Sequence, residues 1–330
     1  MTAAAILGIA GPELTADERG FLPVVQPWGF ILFGRNIVDR EQLSALTASL
    51  RHTVGRDVPI LIDQEGGRVE RMGPPHWPHY LPALDQMAVA RDPLRAQWLR
   101  NRLIAHDLHA VGIDVNCAPL GDLVEQETHP ILLNRLYGGV PKEVADAARV
   151  AAAAMLEGGV LPVLKHIPGY GRAHVDSHLE PARVTASAEA LRARDFAPFR
   201  ALRDIRIGMT AHAIYEAIDP DAPATLSAPV IGLIREEIGF DGLLMTDDIG
   251  MEALSGTLES RAAKAIAAGC DLVLHSNGNF EEMVRVTETV GQMSAEAERR
   301  GDAALAQRRP PEPIDAVQLR AELEALTGRG

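Results

Sequence analysis

Short apolar runs recur along the whole chain, and the segments between them carry helical periodicity. The runs are Ile6–Ala10, Phe30–Phe33, Pro59–Ile62, Ile113–Ala118, Leu161–Leu164, Ile207–Ala211, Leu243–Thr246 and Asp271–Leu274. Each has the length of a strand, and each is near-continuously apolar, as buried parallel strands are. Between them, Asp39-Arg-Glu-Gln42 has the form of a helix start with Gln at its third position. Leu43, Leu46 and Leu50 then follow along one helical face. Pro141 suits a first helical position, and an alanine-rich stretch runs from it to Leu156, where Gly158 and Gly159 can end it. Leu258 to Ala268 reads as another helix, closed by Gly269. This alternation, repeated eight times, predicts an α/β fold: a single-domain (β/α)8 barrel of the TIM type over residues 1–330. A doubly wound sheet is the other option, but no Gly-x-Gly-x-x-Gly follows the first run. The tail differs: Ser294 to Pro311 is charged and alanine-rich, and Ile314 to Leu326 reads as a short closing helix. Residues 294–330 are therefore expected to form a solvated helical cap on the barrel.

In such barrels the chemistry sits at the carboxyl ends of the strands. Polar residues follow most of the runs here. Arg35-Asn36 follows the second and Asp63-Gln-Glu-Gly-Gly-Arg-Val-Glu-Arg71 the third. Lys165-His166 follows the fifth, His212 the sixth, Asp247-Asp248 the seventh and His275 the eighth. Beyond Lys165-His166, a proline and two glycines break the chain into a loop that carries Asp176-Ser-His178.

Each group has a plain reading and a chemical one. Of Asp247 and Asp248, strand alternation lets only one point at the barrel axis. The other would cap a helix starting at Ile249. Alternation does not say which is which. A carboxylate two residues from a histidine orients the ring and raises its basicity, which suits Asp176 and His178 to acid–base work. The plain alternative is a surface loop with an incidental histidine. Asp63 with Arg68 and Arg71 makes a forked polar grip for hydroxyls or an anion, or else a weak surface ion pair. Gly66-Gly67 is no phosphate loop, because no Gly-Lys-Ser/Thr follows. Eleven histidines raise a metal-dependent barrel hydrolase as a competitor. Of these, His166, His174, His178, His212 and His275 are placed to cluster at the rim. Against a metal, no His-x-His follows the first run and no tight ligand pair appears.

Composition narrows the partners. The net charge of −13, from 32 basic and 45 acidic residues, argues against nucleic acid and anionic membranes. It leaves room for an anionic small substrate in a locally basic pocket. A 47% hydrophobic content supplies a sizeable core. The two cysteines, Cys117 and Cys270, lie in apolar surroundings and read as buried free thiols. There is no basic leader and no apolar stretch long enough to span a bilayer, so a soluble cytoplasmic protein is the default. No cofactor motif appears. The sequence leaves the oligomeric state open, a monomer being one option.

Three segments together carry a resemblance. Lys165-His-Ile-Pro-Gly-Tyr-Gly with Asp176-Ser-His178, Asp63 to Arg71, and Thr246-Asp-Asp-Ile-Gly-Met251 resemble bacterial β-N-acetylhexosaminidases of glycoside hydrolase family 3. The branch they resemble is the single-domain cytoplasmic one that acts in cell-wall recycling. The resemblance covers nearly the whole chain, in order. It implies a retaining hydrolase with a covalent glycosyl-enzyme intermediate. It places the nucleophile on Asp247 and the acid–base on His178, paired with Asp176. It places sugar binding on Asp63, Arg71, Arg135, Lys165 and His166. Most retaining glycosidases pair two carboxyl groups about 5–5.5 Å apart, whereas this branch uses His–Asp in place of the acid. The implied partner is a small saccharide substrate, N-acetylglucosamine β-1,4-linked to anhydro-N-acetylmuramic acid, with or without a peptide. The chain departs from the family pattern at Tyr170, Leu136 and Ile167, where His, Ser and Phe are usual. The alternatives are a β-N-acetylglucosaminide phosphorylase on the same scaffold, a metal-dependent hydrolase, and a sugar-binding barrel without catalysis.

Overall fold

The computed structural model describes residues 2–173 and 182–328. Eight parallel strands close into a barrel: β1 Ala3–Gly8, β2 Pro27–Leu32, β3 Ile60–Ile62, β4 Val115–Asn116, β5 Leu161–Ile167, β6 Ile207–Thr210, β7 Leu243–Asp248 and β8 Leu272–His275. They pair in chain order, and β8 returns to β1 with Ala5 opposite Val273. This is the (β/α)8 barrel that the hydrophobic pattern predicts. Two further short strands, Ala182–Val184 and Ala213–Tyr215, pair outside it.

The strand limits differ from the sequence expectation in an informative way. β1 begins at Ala3 rather than Ile6, because three alanines with weak strand preference nevertheless pair with β2 and β8. β5 continues through Lys165 and His166, and β7 through Asp247 and Asp248. These polar side chains belong to the strands and stand at the barrel mouth. No helix starts at Ile249; the next begins at Leu258, capped by Thr257. The expected capping role for one of the two aspartates is therefore wrong. The side chain of Asp248 accepts instead from Gly250 N at 3.0 Å and from Ser276 Oγ at 2.5 Å.

Several helices fall where periodicity puts them. Arg40–Val54 buries Leu43, Leu46 and Leu50, and Asp39 caps it by accepting from Gln42 N at 2.8 Å. The Gln42 side chain reaches Val38 N rather than closing a box on Asp39. Pro141–Glu157 starts on its proline and ends at Gly158. Leu258–Ala268 ends at Gly269, whose φ of 110° suits a residue without Cβ. In the tail, Ala295–Leu305 and Ala316–Thr327 are helical. The first lies near the strand starts, with Arg300 bonded to Asp271 at 3.0 Å, and the second packs on Pro93–Ala110 through a two-point pair from Arg95 to Glu322. Among the described residues no helix is long and apolar enough to cross a membrane.

Candidate active site

The turn after β3 folds back on itself. Gln64 Oε1 accepts from Arg71 N at 2.8 Å and Met72 N at 3.0 Å, which returns Arg71 to the side of Asp63. Gly66 and Gly67 make this tight, at φ 84° and 65°. A Cβ on Gly66 would meet Arg100 Nη2 at 2.5 Å. Arg100 is wholly buried and donates to the Glu65 carbonyl, so the turn is held from beneath. The result is that Glu65 points inward next to Asp63.

Five charged side chains then form a chain at the barrel mouth. Lys165 Nζ lies 2.9 Å from Asp63 Oδ1 and 2.7 Å from Glu65 Oε1. Arg135 grips both oxygens of Glu65, at 2.9 and 2.8 Å. Arg71 meets the other oxygen of Asp63 at 3.4 Å and lies over the ring of Phe33. Burial alone would raise the Glu65 pKa, but Arg135 and Lys165 hold its carboxyl well below the usual range. Burial likewise works against the charge of Lys165, yet Asp63 and Glu65 push it above its ordinary value. Glu65 carries no assigned role in the sequence reading; its signal was its place two residues after Asp63, ahead of a Gly-Gly turn.

On the opposite side, His166 Nδ1 lies 2.8 Å from Asp122 Oδ2, and His166 Nε2 lies 4.0 Å from Asp247 Oδ2. Asp122 follows β4 and was missed from the sequence altogether. Burial pushes the Asp247 carboxyl up, but His212, His166 and the Asp248 N–H outweigh it and hold it below its ordinary value. That N–H donates to Asp247 Oδ1 at 2.8 Å. A cavity of about 180 Å³ is lined by Asp63, Arg71, Arg135, Lys165, His166 and Asp247, with Arg68, Val69, Tyr170, Met209 and Met251. Tyr170 packs edge-on to the His166 ring, with centroids 5.6 Å apart. Leu136 is wholly buried, and Ile167 lies within β5.

Other strand-end residues have structural partners. Arg35 and Asn36 bond the Ile9 carbonyl. His212 is tied between Thr225 Oγ1 at 2.7 Å and the Asp248 carbonyl at 2.9 Å, and burial lowers its pKa. His275 is buried with Nε2 3.5 Å from Glu282. Among the described residues no group of three or more His, Cys, Asp or Glu side chains could hold a metal ion. Asp176 and His178, with His174, lie outside the described residues.

Known proteins give the same picture. The family description "Glycosyl hydrolase family 3 N terminal domain" matches residues 15–307. A β-hexosaminidase of Alkalilimnicola ehrlichii is 39% identical over 280 residues, covering 82% of this chain and 80% of its own. One of Methylococcus capsulatus is 37% identical over 274 residues, covering 82% and 81%. Among solved structures, NagZ from Neisseria gonorrhoeae in complex with N-trifluoroacetyl-D-glucosamine has a TM-score of 0.85 at 29% identity, over 99% of this chain and 98% of that one. A glycoside hydrolase family 3 β-N-acetylglucosaminidase from Paenibacillus reaches a TM-score of 0.88 at 28% identity, over 98% and 67%. Barrel, mouth and relatives agree: the chain belongs to glycosyl hydrolase family 3 and is a glycoside hydrolase of the β-hexosaminidase kind.

Proposed function

We propose that this enzyme is a retaining exo-β-N-acetylglucosaminidase that removes non-reducing, β-1,4-linked N-acetylglucosamine from muropeptides in the cytoplasm, as part of peptidoglycan recycling. The observation that carries this is the position of Asp247. It is a carboxyl group held below its ordinary pKa at the end of β7, sharing one cavity of about 180 Å³ with Asp63, Arg71, Arg135, Lys165 and His166. A cavity on that scale takes a single sugar ring, in keeping with attack at a chain end. In this reading residues 1–330 form one catalytic barrel, and 294–330 are its helical cap.

The reaction has two steps. In the first, Asp247 attacks the anomeric carbon and the glycosidic bond breaks. Protonated His178 gives its proton to the leaving oxygen. In the second, neutral His178 takes a proton from water, which attacks the same carbon and frees Asp247. Asp176 orients the His178 ring. Asp63, Arg71, Arg135, Lys165 and His166 hold the sugar, where carboxylate acceptors and cationic donors suit its hydroxyls.

Product analysis tests this. Hydrolysis of N-acetylglucosaminyl-anhydro-N-acetylmuramic acid, in buffer containing phosphate, is expected to release β-configured N-acetylglucosamine first. A sugar-1-phosphate as the main product contradicts the hydrolase reading. First release of the α-anomer contradicts the covalent route.

A further inference from the structure

Asp122 is wholly buried, and among the described residues its side-chain hydrogen bonds come from one short segment, His166 to Tyr170. Its Oδ1 accepts from Tyr170 N at 2.6 Å. Its Oδ2 accepts from His166 N at 3.2 Å and faces His166 Nδ1 at 2.8 Å. A carboxylate can only accept, so Nδ1 carries the proton of this contact. The nitrogen left facing the cavity is Nε2, 4.0 Å from Asp247 Oδ2. Which ring nitrogen is protonated is set by the bond the other one makes.

We propose that Asp122 is a positioning residue: by taking the Nδ1–H of His166, it presents Nε2 as a hydrogen-bond acceptor for a sugar hydroxyl beside Asp247. The inference rests on the reading of this cavity as the sugar site. Asp122 also pins the start of the loop after β5 through Tyr170 N, so one buried carboxylate fixes both the ring and the backbone that follows it. Other contacts also hold that backbone: Tyr215 Oη donates to the Gly169 carbonyl at 2.7 Å, Thr128 Oγ1 donates to the Gly171 carbonyl at 2.6 Å, and Gly171 abuts the Leu123 carbonyl. Among the described residues, Asp122 is the one bonded to Nδ1 of the ring.

Asparagine at this position keeps the shape and changes the code. Its oxygen can still serve Tyr170 N, but its NH2 then faces Nδ1. The ring must answer as an acceptor there and carry its proton on Nε2. The cavity would then meet a donor where it had an acceptor.

Nitrogen NMR of histidine-labelled enzyme reads this directly, with the His166 signals identified by their loss in His166→Gln. The neutral ring in the native enzyme is expected to carry its proton on Nδ1, and in Asp122→Asn on Nε2. On an aryl β-N-acetylglucosaminide, Asp122→Asn is expected to lower kcat/KM roughly 10- to 100-fold. In a His166→Gln background the same change should alter it by less than about twofold, because the partner is gone. A bare Nδ1 in the native enzyme overturns the proposal without any variant, so it stays testable should Asp122→Asn not fold. Unchanged kcat/KM in Asp122→Asn, or an undiminished loss in the His166→Gln background, overturns it as well. Failure of the catalytic reading is separate: it would show as absence of covalent labelling at Asp247, with the tautomer as expected.

Discussion

Nε2 of His166 stands 4.0 Å from Oδ2 of Asp247, although the two side chains come from strands β5 and β7 with β6 between them. Both point into the barrel mouth. Asp248, the next residue on β7, turns away to Ser276 and Gly250. Strand alternation thus divides the aspartate pair into one that faces the cavity and one that secures the strand end.

Asp247→Asn is accordingly expected to lower kcat on the order of 10³-fold or more, since a nucleophile would be lost. Asp248→Asn should stay active and lose stability by about 0.5–1.5 kcal/mol, the scale of a weakened hydrogen bond at a half-buried group. Turnover of an aryl glycoside by the two variants checks this. An inactive Asp248→Asn beside an active Asp247→Asn would reverse the assignment.

Glu65 offers a test of the polar chain. It is the shared anion between Arg135 and Lys165, and its neutralisation leaves Arg135, among the described residues, without a carboxylate partner beside the buried Lys165. Breaking such a pair costs about 3–5 kcal/mol. Glu65→Gln should therefore unfold at markedly lower denaturant and raise KM, because Arg135 loses its two-point anchor and Lys165 is left with Asp63. Equilibrium unfolding alongside kinetics checks it.

The same residue sets a pH dependence. Its folded pKa is depressed below the ordinary 4.5. Its ionic contribution is fully present above that value and is lost as pH falls toward the lower folded pKa. The stability gap between the native enzyme and Glu65→Gln should be constant near neutrality and shrink below about pH 4.5. Lys165 has the opposite sign. Its folded pKa is raised above 10.5, so its contribution is full below that value and fades as pH climbs through the higher folded one. Denaturant unfolding across pH measures both.

Cys117 and Cys270 are free and buried, and burial pushes the Cys270 thiol up to about 12. Neither should react with a thiol reagent at neutral pH in the folded enzyme, whereas both should react in denaturant. Rapid labelling of the folded enzyme would contradict this burial.

Much of the barrel was legible because parallel strands covered on both faces are continuous apolar runs, and Leu43, Leu46 and Leu50 mark a helix face on their own. The strand ends were less so. Lys165-His166 and Asp247-Asp248 look like loop from composition, yet they continue β5 and β7, because a barrel mouth is where a strand can carry charge. Asp122 and Glu65 had no periodic signature. A single buried acid is recognised only through the cations and N–H groups that the fold brings to it. His212 had the opposite history: its strand-end position drew attention, but Thr225 and the Asp248 carbonyl occupy both its nitrogens.

The central claim is that Asp247 forms a covalent bond to the sugar. A mechanism-based 2-fluoro N-acetylglucosaminide analogue, followed by proteolysis and mass spectrometry, tests it most directly. The account predicts a stable adduct on Asp247, absent in Asp247→Asn. An adduct on Asp248, or on any other residue, would contradict it.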